Sequence, residues 1–356
     1  MAEINRIIEH PLYLEDLKTI CQVSFLPWEE LQDKKILIIG STGMIGSCLI
    51  DCLMLRNRDY NSNISIVAIS RNEARAKERF KKYWNSNNFK YICHDCSKTL
   101  PKEIGKIDYA IHAASNTHPL AYSTDPVGTI TTNVFGLYNL LEFLKNQKTR
   151  ALFVSSVEIY GENNSDKESF REKDFGYIDC NTMRAGYPES KRVSESLCQA
   201  YISKFEMDIV VARLCRVYGP TILVNDSKAL SQFIFKAVKG ENIVLKSEGK
   251  QFYSYIYVFD AVSALLTILL KGKMGEAYNV SDEKSNISLK ELAEIIANSV
   301  ERKVVFELPN SVEFRGYSTA TKAILNSSLL KKLGWKAFTD INCGLNKTIK
   351  LLNVFK

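Results

Sequence analysis

The chain has 356 residues, of which 46% are apolar and 24% charged, as in an ordinary globular protein. This composition excludes a disordered, collagen-like or low-complexity protein, and the length suits one large domain or two coupled ones. The net charge of +7 comes from 47 basic and 40 acidic side chains spread along the chain. A solvated surface or an anionic small-molecule substrate accounts for this excess. No basic run with interleaved aromatic residues suggests a nucleic-acid partner.

The nine cysteines are irregularly spaced, which argues against a secreted disulfide framework. Cys93 and Cys96 form a C-x-x-C pair, but no second pair completes four ligands, so no metal site is expected. No signal peptide is visible, and the longest apolar stretch, around 261–270, is too short to span a bilayer. We therefore expect a cytoplasmic protein with reduced thiols and no membrane partner.

Residues 1–32 carry apolar side chains at helical spacing and are predicted to form a helical N-terminal extension. Short apolar runs then alternate with helical patterns, which indicates βαβ units and a parallel sheet. The predicted strands are 35–40, 64–69, 89–93, 109–113, 152–155 and 209–214. The helices between and after them include 72–83, 126–145, 187–204, 229–239 and 289–299.

This order predicts an α/β protein with a Rossmann-type doubly wound parallel sheet and a smaller C-terminal substrate-binding region. The nucleotide-binding domain is predicted to span 33–218, and 219–356 is expected mainly to bind substrate. The strand and helix predicted within 255–280 are expected to return to the large sheet.

A glycine-rich segment, Gly40-Ser-Thr-Gly43-Met-Ile-Gly46, lies between the first strand and the first helix of this domain. Glycine is needed where the backbone turns tightly and where a pyrophosphate approaches the main chain, and the helix N-terminus offers free N–H groups to that anion. The segment therefore predicts a dinucleotide site, with a plain tight turn as the alternative. The expected cofactor contacts here are Gly40, Thr42, Gly43, Met44, Ile45 and Gly46.

The end of the second strand bears on which dinucleotide binds. NAD sites usually carry a carboxylate there for the ribose 2′-hydroxyl, whereas this chain has Ser70 and Arg71. A carboxylate would repel the 2′-phosphate of NADP, and serine with arginine accepts it, so the sequence favours NADP. NAD is the alternative if Arg71 is an ordinary surface residue. Asp95 and Cys96, after the third strand, are further predicted cofactor contacts.

Tyr187 and Lys191 form a Tyr-x-x-x-Lys pair, and residues four apart on a helix share one face. The lysine charge is expected to favour the phenolate and so to lower the pKa of Tyr187 toward neutral pH. The pair alone is a weak signal. It gains weight from Ser156, at the end of a strand upstream, whose hydroxyl can bond the substrate oxygen that the tyrosine deprotonates.

With these motifs the chain resembles the extended short-chain dehydrogenase/reductases that act on nucleotide sugars. The resemblance covers nearly the whole chain after the N-terminal extension. Its other landmarks are His112-Ala-Ala-Ser115, Asp125-Pro126, Asn133-Val-Phe-Gly136, Ser156-Val-Glu158-Ile-Tyr160-Gly161 and Arg213-x-x-x-x-Tyr218-Gly219-Pro220. It implies cofactor contacts at Ala113, Ala114 and Ser115, and a homodimer formed through helices 126–145 and 187–204.

The resemblance also implies oxidation at sugar C4 of a nucleotide-diphosphate sugar. Tyr187 would remove the 4-hydroxyl proton while the cofactor takes the hydride, Lys191 would hold the nicotinamide ribose, and Ser156 would bond the sugar oxygen. The 4-keto intermediate is then epimerised, dehydrated, decarboxylated or reduced. Glu158 favours chemistry beyond C4. Val157 replaces the aspartate of the family's dehydratases and weakens a 4,6-dehydratase interpretation.

Two departures from the family pattern concern the substrate. Arg216 stands where an asparagine is usual, and Tyr253 stands where decarboxylases carry an arginine for the sugar acid, which puts decarboxylation in doubt. We expect Arg216 to bind the diphosphate, with a structural salt bridge as the alternative. Asn133, Tyr253 and Arg315 are the other predicted substrate contacts.

The leading interpretation is therefore an NAD(P)-dependent nucleotide-sugar enzyme of the epimerase, dehydratase or decarboxylase type. An NADPH-dependent reductase of a nucleotide-linked keto sugar is the alternative. A dinucleotide-sensing regulator without catalysis is the more distant one, because it would have no need for the tyrosine, lysine and serine together.

Overall fold

The computed structural model describes residues 4–117, 119–163, 167–307 and 321–353. The elements up to residue 214 are α1 (Ile4–Glu9), α2 (Pro11–Gln22), β1 (Lys35–Ile39), α3 (Met44–Tyr60), β2 (Ser65–Ser70), α4 (Glu73–Arg79), β3 (Phe89–Cys93), β4 (Tyr109–His112), α5 (Pro119–Thr124), α6 (Pro126–Leu144), β5 (Arg150–Ser156), α7 (Gly186–Phe205) and β6 (Asp208–Leu214). Those that follow are β7 (Arg216–Tyr218), α8 (Ala229–Lys239), β8 (Ile243–Leu245), β9 (Phe252–Tyr257), α9 (Val258–Lys271), β10 (Ala277–Val280), β11 (Asn286–Ser288), α10 (Leu289–Ser299), β12 (Val304–Phe306), β13 (Lys322–Ala323) and the helices Ser328–Lys331 and Ile341–Asn353.

Seven parallel strands form the central sheet in the order β10-β6-β5-β4-β1-β2-β3. Its strands are continuous apolar runs because both faces are covered. In β1, Ile36 and Ile38 enter one hydrophobic core while Leu37 and Ile39 enter the other, as the two-residue period of a strand requires. This arrangement confirms the predicted Rossmann-type parallel sheet.

The segment 255–280 only partly follows the sequence expectation. Helix α9 packs on β5 and β6, and β10 forms the edge of the large sheet beside β6. Strand β9, however, belongs to a separate four-stranded sheet, where it pairs with β7, β11 and β13. The reason is that β10 already occupies the edge next to β6, so β9 has no place in the large sheet.

The N-terminal extension is an integral part of the fold. Helix α2 packs against α3, α9 and the C-terminal helix Ile341–Asn353. Tyr13 donates a hydrogen bond to Asp51 on α3, which also pairs with Arg79 on α4. Asp16 accepts a hydrogen bond from Tyr257 (2.9 Å) and pairs with Lys347 (2.5 Å). These buried polar contacts join α2 to α3, to the end of β9 and to the C-terminal helix.

Candidate active site

The turn between β1 and α3 has the geometry of a phosphate cradle. Gly40 has a φ of 90°, and a Cβ there would lie 2.6 Å from the backbone nitrogen of Ala114. A Cβ on Gly46 would lie 2.4 Å from the carbonyl oxygen of Gly40. Gly43 stands at the N-cap of α3, and its N–H donates to the Gly40 carbonyl oxygen at 3.1 Å. The close approach of backbone to backbone therefore explains the first and third glycines, and the cradle fits a dinucleotide pyrophosphate.

The predicted cofactor contacts gather at the carboxyl edge of the sheet, where ligands bind in open α/β folds. Ser70 ends β2 and exchanges hydrogen bonds with Tyr91, whose hydroxyl lies 3.1 Å from the Ser70 hydroxyl. Arg71 is exposed beyond it. Asp95 accepts hydrogen bonds from the backbone and side chain of Ser97, which lower its pKa. The other predicted contacts on this edge are Thr42, Met44, Ile45, Cys96, Ala113, Ala114 and Ser115.

Tyr187 lies in the first turn of α7, where Pro188 is tolerated because its missing N–H would have no helical partner. The phenol is buried, and burial raises its pKa to about 12. The hydroxyls of Ser156 and Ser115 interact with it and act in the opposite direction. The expectation that Lys191 lowers the pKa of Tyr187 is therefore wrong for this structure, because burial outweighs every charge near the phenol.

Lys191 is 2% exposed and donates a hydrogen bond to the carbonyl oxygen of Val154 at 2.8 Å. Burial lowers its pKa to about 7. Its ammonium also lies 4.7 Å from the ring centroid of Phe153. The lysine is thus fixed between α7 and the end of β5, next to Tyr187 on the same helix face.

Two guanidinium groups flank the carboxylate of Glu158. Arg184 donates to Glu158 at 2.8 Å, and Arg216 lies 3.8 Å from its other oxygen. Arg216 also stacks on Tyr253, with its central carbon 3.4 Å from the ring centroid. Among the described residues, Nε and Nη1 of Arg184 and Nη1 of Arg216 are buried without a hydrogen-bond partner. Three guanidinium nitrogens beside Glu158 therefore have no hydrogen-bond partner in the described part of the chain.

This geometry bears on the predicted substrate contacts. Arg216 lies 3.8 Å from an oxygen of Glu158, which is the salt bridge that stood as the alternative to diphosphate binding. Its contact with the diphosphate stays a prediction. Asn133 is fully buried between α6 and α7, where its amide donates to Ser190 at 2.8 Å. Its Oδ1 is buried without a hydrogen-bond partner among the described residues, and its contact with a substrate stays a prediction. Arg315 lies outside the described residues.

Sequence reasoning missed Arg184, Tyr122 and Arg75. Tyr122 stacks on Tyr187 with ring centroids 4.9 Å apart, and the Arg184 guanidinium lies 4.8 Å from the Tyr122 centroid. Arg184 precedes Tyr187 by three residues, which is about one helical turn. This spacing was the only feature of the sequence that could have indicated a role for Arg184 in the site. Arg75 donates to the carbonyl oxygen of Thr42 at 3.2 Å, a contact between α4 and the glycine segment.

Other buried groups hold the site in place. Arg213, from the last family landmark, pairs with Glu195 on α7 at 2.6 Å and donates to the Tyr160 hydroxyl at 2.9 Å. His112 is fully buried, and burial lowers its pKa to about 3, so it is uncharged at neutral pH. Both ring nitrogens are buried without a hydrogen-bond partner among the described residues, and a Cβ on Gly136 would lie 2.9 Å from Nε2.

All nine cysteines lie in the described ranges and none is paired in a disulfide. Within those ranges, no group of three His, Cys, Asp or Glu side chains comes together in a way that could hold a metal ion. The described helices include none that is long and apolar enough to cross a membrane.

Residues 36–281 match the model of the NAD dependent epimerase/dehydratase family, and the chain belongs to this family. UDP-glucuronic acid decarboxylase 1 of Xenopus tropicalis is 31% identical over 332 residues, which cover 92% of this chain and 73% of that protein. UDP-glucuronic acid decarboxylase 3 of Arabidopsis thaliana is 31% identical over 316 residues, covering 87% of this chain and 86% of that one.

Two solved structures share the fold. The UDP-glucuronic acid 4-epimerase from Bacillus cereus, in complex with UDP-glucuronic acid and NAD, superposes with a TM-score of 0.78 at 21% identity, covering 90% of this chain and 100% of that one. The dTDP-glucose 4,6-dehydratase from Bacillus anthracis, in complex with NAD, gives a TM-score of 0.74 at 19% identity, covering 89% and 96%.

Proposed function

We propose that this chain oxidises C4 of the sugar in a nucleotide-diphosphate sugar, with Tyr187 taking the 4-hydroxyl proton. The observation that carries the proposal is the convergence of Ser156 and Ser115 on the buried phenol of Tyr187, one helical turn from Lys191. A base and a hydrogen-bond donor that share one substrate oxygen are what this oxidation needs. When bound, the dinucleotide supplies the hydride acceptor.

We further propose that the sugar is a uronic acid. The unpartnered N–H groups of Arg184 and Arg216 suit a carboxylate, which takes charge-assisted hydrogen bonds from guanidinium groups. The sequence lacks the expected arginine at Tyr253, but the Arg216 guanidinium lies directly on the Tyr253 ring and so supplies the charge from strand β7. The similar decarboxylases and the similar 4-epimerase are named for UDP-glucuronic acid, which supports the same choice of substrate class.

Decarboxylation is the net reaction that we propose. A 4-keto uronate is a β-keto acid, so its C5–C6 bond breaks with the electron pair moving to the C4 oxygen, and carbon dioxide leaves. Glu158 then relays a solvent proton to C5, which restores the C4 carbonyl. The hydride returns to C4 while Tyr187 returns the proton to the C4 oxygen. The ion pair with Arg184 holds the Glu158 carboxylate two residues along the chain from Ser156, which supports this role.

The cofactor that we propose is NADP, since Ser70 and Arg71 replace the carboxylate that an NAD site presents at the end of β2. The same observation favours one second candidate, an NADPH-dependent reductase of a nucleotide-linked keto sugar. In that reaction the hydride would go to the substrate and would not return.

One experiment separates these reactions. The purified chain is incubated with UDP-glucuronate deuterated at C4, and separately with UDP-glucose, dTDP-glucose, GDP-mannose or CDP-glucose, each with NAD or NADP. A further incubation contains a nucleotide-linked 4-keto sugar and NADPH, and all products are analysed by mass spectrometry. Decarboxylation predicts loss of carbon dioxide with the deuterium retained. Net reduction predicts added hydrogen and stoichiometric consumption of NADPH on a keto-sugar substrate. A 4-epimer has the mass of the substrate, so products are also separated by chromatography. UDP-glucuronate unchanged in both mass and retention would contradict the uronate proposal.

Tyr187→Phe provides the mutational test. Loss of the phenolic oxygen is expected to reduce turnover by about 10²-fold or more, the contribution typical of a positioned base. Cofactor binding and the circular dichroism spectrum should stay as in the wild type. Tyr177→Phe, at an exposed tyrosine, is the matched control. Full turnover by Tyr187→Phe would reject the proton-transfer role.

A further inference from the structure

Glu195 lies one turn beyond Lys191 on α7, where this helix packs against β5. Its Oε1 accepts a hydrogen bond from the Ser155 hydroxyl at 2.5 Å, and its side chain is 15% exposed. The ammonium group of Lys191 donates to the carbonyl oxygen of Val154, the residue before Ser155. Neighbouring residues at the end of one strand therefore hold the lysine and the glutamate.

The same strand end also reaches the phenol of the site. Ser156 follows Ser155 directly, and its hydroxyl interacts with Tyr187. A displacement of α7 relative to the end of β5 would therefore move the phenol and the ammonium group away from the residues that contact them. The hydrogen bond between Glu195 and Ser155 joins the two elements at this point.

The Glu195 carboxylate is itself fixed by Arg213 on β6. The Nε of Arg213 lies 3.0 and 3.2 Å from the two carboxylate oxygens, and its Nη2 donates to Oε2 at 2.6 Å. Arg213 also donates to the Tyr160 hydroxyl and to the Glu172 carbonyl oxygen. A buried pair with several hydrogen bonds holds both partners in one orientation. The position of the Glu195 charge is therefore well defined.

The titratable groups that face Lys191 lie on α7 and β4. Burial lowers the pKa of Lys191 to about 7, and the charge of Glu195 acts against burial by raising it. Cys198 would act like Glu195 as a thiolate, but burial raises the pKa of this thiol far above its usual value. Tyr187 on α7 and His112 on β4 are uncharged at neutral pH. Glu195 is therefore the group that favours the ammonium form.

We infer that Glu195 is a positioning residue of this site, which aligns Lys191 with the end of β5 and supplies the negative charge that keeps its ammonium group charged. The inference rests on the proposed oxidation at C4, in which a charged lysine favours the phenolate of Tyr187. Glu195 acts through Lys191 and is not itself proposed to contact the substrate. The competing role is a structural one, in which the pair with Arg213 stabilises the fold and nothing more.

Three variants separate the two roles. Glu195→Gln can still accept a hydrogen bond from Ser155 but carries no charge. Arg213→Lys disturbs the same buried pair and leaves the charge of Glu195 in place. Glu189→Gln removes a carboxylate from a partly exposed position of the same helix and is the matched control. If Glu195→Gln does not fold, the double variant with Arg213→Met replaces it, because no unpaired charge is then buried.

The first readout needs neither a dinucleotide nor a sugar. The free energy of unfolding in urea is compared, from about pH 5 to about pH 10, between each chain and the same chain carrying Lys191→Met, so that the difference follows the titration of Lys191. We expect its midpoint to fall by about one pH unit in Glu195→Gln, because loss of a neighbouring negative charge disfavours the ammonium form. Wild type, Arg213→Lys and Glu189→Gln should share one midpoint.

The second readout is the pH profile of the oxidation step. Stopped-flow absorbance follows the reduced dinucleotide that forms with UDP-glucuronate. Because the lysine must be charged, the alkaline limb of the profile should move down by about one pH unit in Glu195→Gln. Arg213→Lys and Glu189→Gln should keep the alkaline limb of the wild type. A structural role would lower the rate without moving this limb.

An unchanged titration in Glu195→Gln, or an equal shift in Arg213→Lys, would make Glu195 a structural partner and overturn the inference. A shifted titration with an unmoved alkaline limb would also reject it, because the reaction would then not depend on this charge. A wild type that does not oxidise the sugar would refute the proposed function and with it the role of Glu195 in the reaction. The unfolding titration would still measure the effect of Glu195 on Lys191.

Discussion

Tyr187 keeps its proton in this structure because burial dominates its surroundings. Its pKa is about 12, even though Ser156, Arg184 and Ser115 all act to lower it, and Glu158 acts with burial to raise it. To act as a base, the phenol therefore needs positive charge brought close to it. Lys191, with a pKa lowered by burial to about 7, supplies that charge only in part at neutral pH.

The buried lysine has a consequence for stability that can be measured. Because its pKa is about 7 in the folded chain against 10.5 for an exposed lysine, the unfolded state binds more protons between these values. The free energy of unfolding therefore rises with pH across that window, by up to about 1.4 kcal/mol per pH unit from this group. Lys191→Met lacks the titrating group and should show a flatter profile.

The measurement is urea unfolding of both proteins at pH 6.5, 8 and 9.5. We expect the variant to be the more stable at pH 6.5 and the difference to shrink as pH rises. Parallel pH profiles for the two proteins would show that Lys191 titrates like an exposed lysine.

Glu158 offers a second test at the residue scale. Glu158→Gln keeps a hydrogen-bond acceptor near Arg184 but cannot relay a proton, so oxidation at C4 should persist while decarboxylation slows by about tenfold or more. Stopped-flow absorbance of the reduced dinucleotide follows the first step, and carbon dioxide release follows the second. Glu189→Gln, at a partly exposed carboxylate on α7, is the control. Product formation at the normal rate would show that no later step uses Glu158.

At the scale of elements, the glycine segment shows how a local motif positions a helix. Gly46 has no Cβ, so the first turn of α3 can pack against the Gly40 carbonyl oxygen. This contact brings the N-terminus of α3 to the edge of the sheet. The strands and most helices were predictable for the same reason, since apolar runs and helical periodicity are local patterns. Strand β9 was assigned to the wrong sheet because strand pairing depends on which edge is free, and periodicity does not reveal that.

Two substitutions in the glycine segment are expected to differ. In Gly46→Ala the new Cβ would lie 2.4 Å from backbone, so both stability and dinucleotide binding should be lost, with destabilisation of about 2 kcal/mol or more. In Gly43→Ala the nearest atom is 3.3 Å away and φ is ordinary, so the fold should survive. Binding should still weaken, because the pyrophosphate approaches the second glycine. Thermal unfolding and NADPH titration check both, and equal stabilities would contradict the packing explanation.

At the scale of the whole molecule, several of the exposed apolar side chains lie on two neighbouring helices. Helices α6 and α7 carry exposed apolar side chains, and the most exposed are Val127 (69%), Phe135 (52%) and Val193 (51%). Exposed apolar patches of this kind mark interaction surfaces. The family resemblance places a homodimer interface on these two helices, and we retain that prediction.

Phe135→Glu tests the dimer. A charge at this exposed position of α6 should convert a dimer into a monomer in sedimentation analysis at micromolar concentration, since an unpaired charge buried in the predicted interface costs several kcal/mol. Phe306→Glu replaces another exposed phenylalanine, on β12, and should leave the association unchanged. A monomeric wild type would refute the prediction directly.

The amino-acid sequence by itself determined the parallel sheet, the glycine segment, the Tyr187 and Lys191 pair and the family, because each is encoded by neighbouring residues or by a fixed spacing. Tertiary structure alone decided that Arg184 and Arg216 flank Glu158, that Arg75 reaches Thr42, that Asn133 is buried and that the pKa of Tyr187 rises. These properties come from burial and from contacts between distant segments. Desolvation depends on burial, and charges interact through space. A sequence motif gives neither the burial of a side chain nor its distance from residues in other segments.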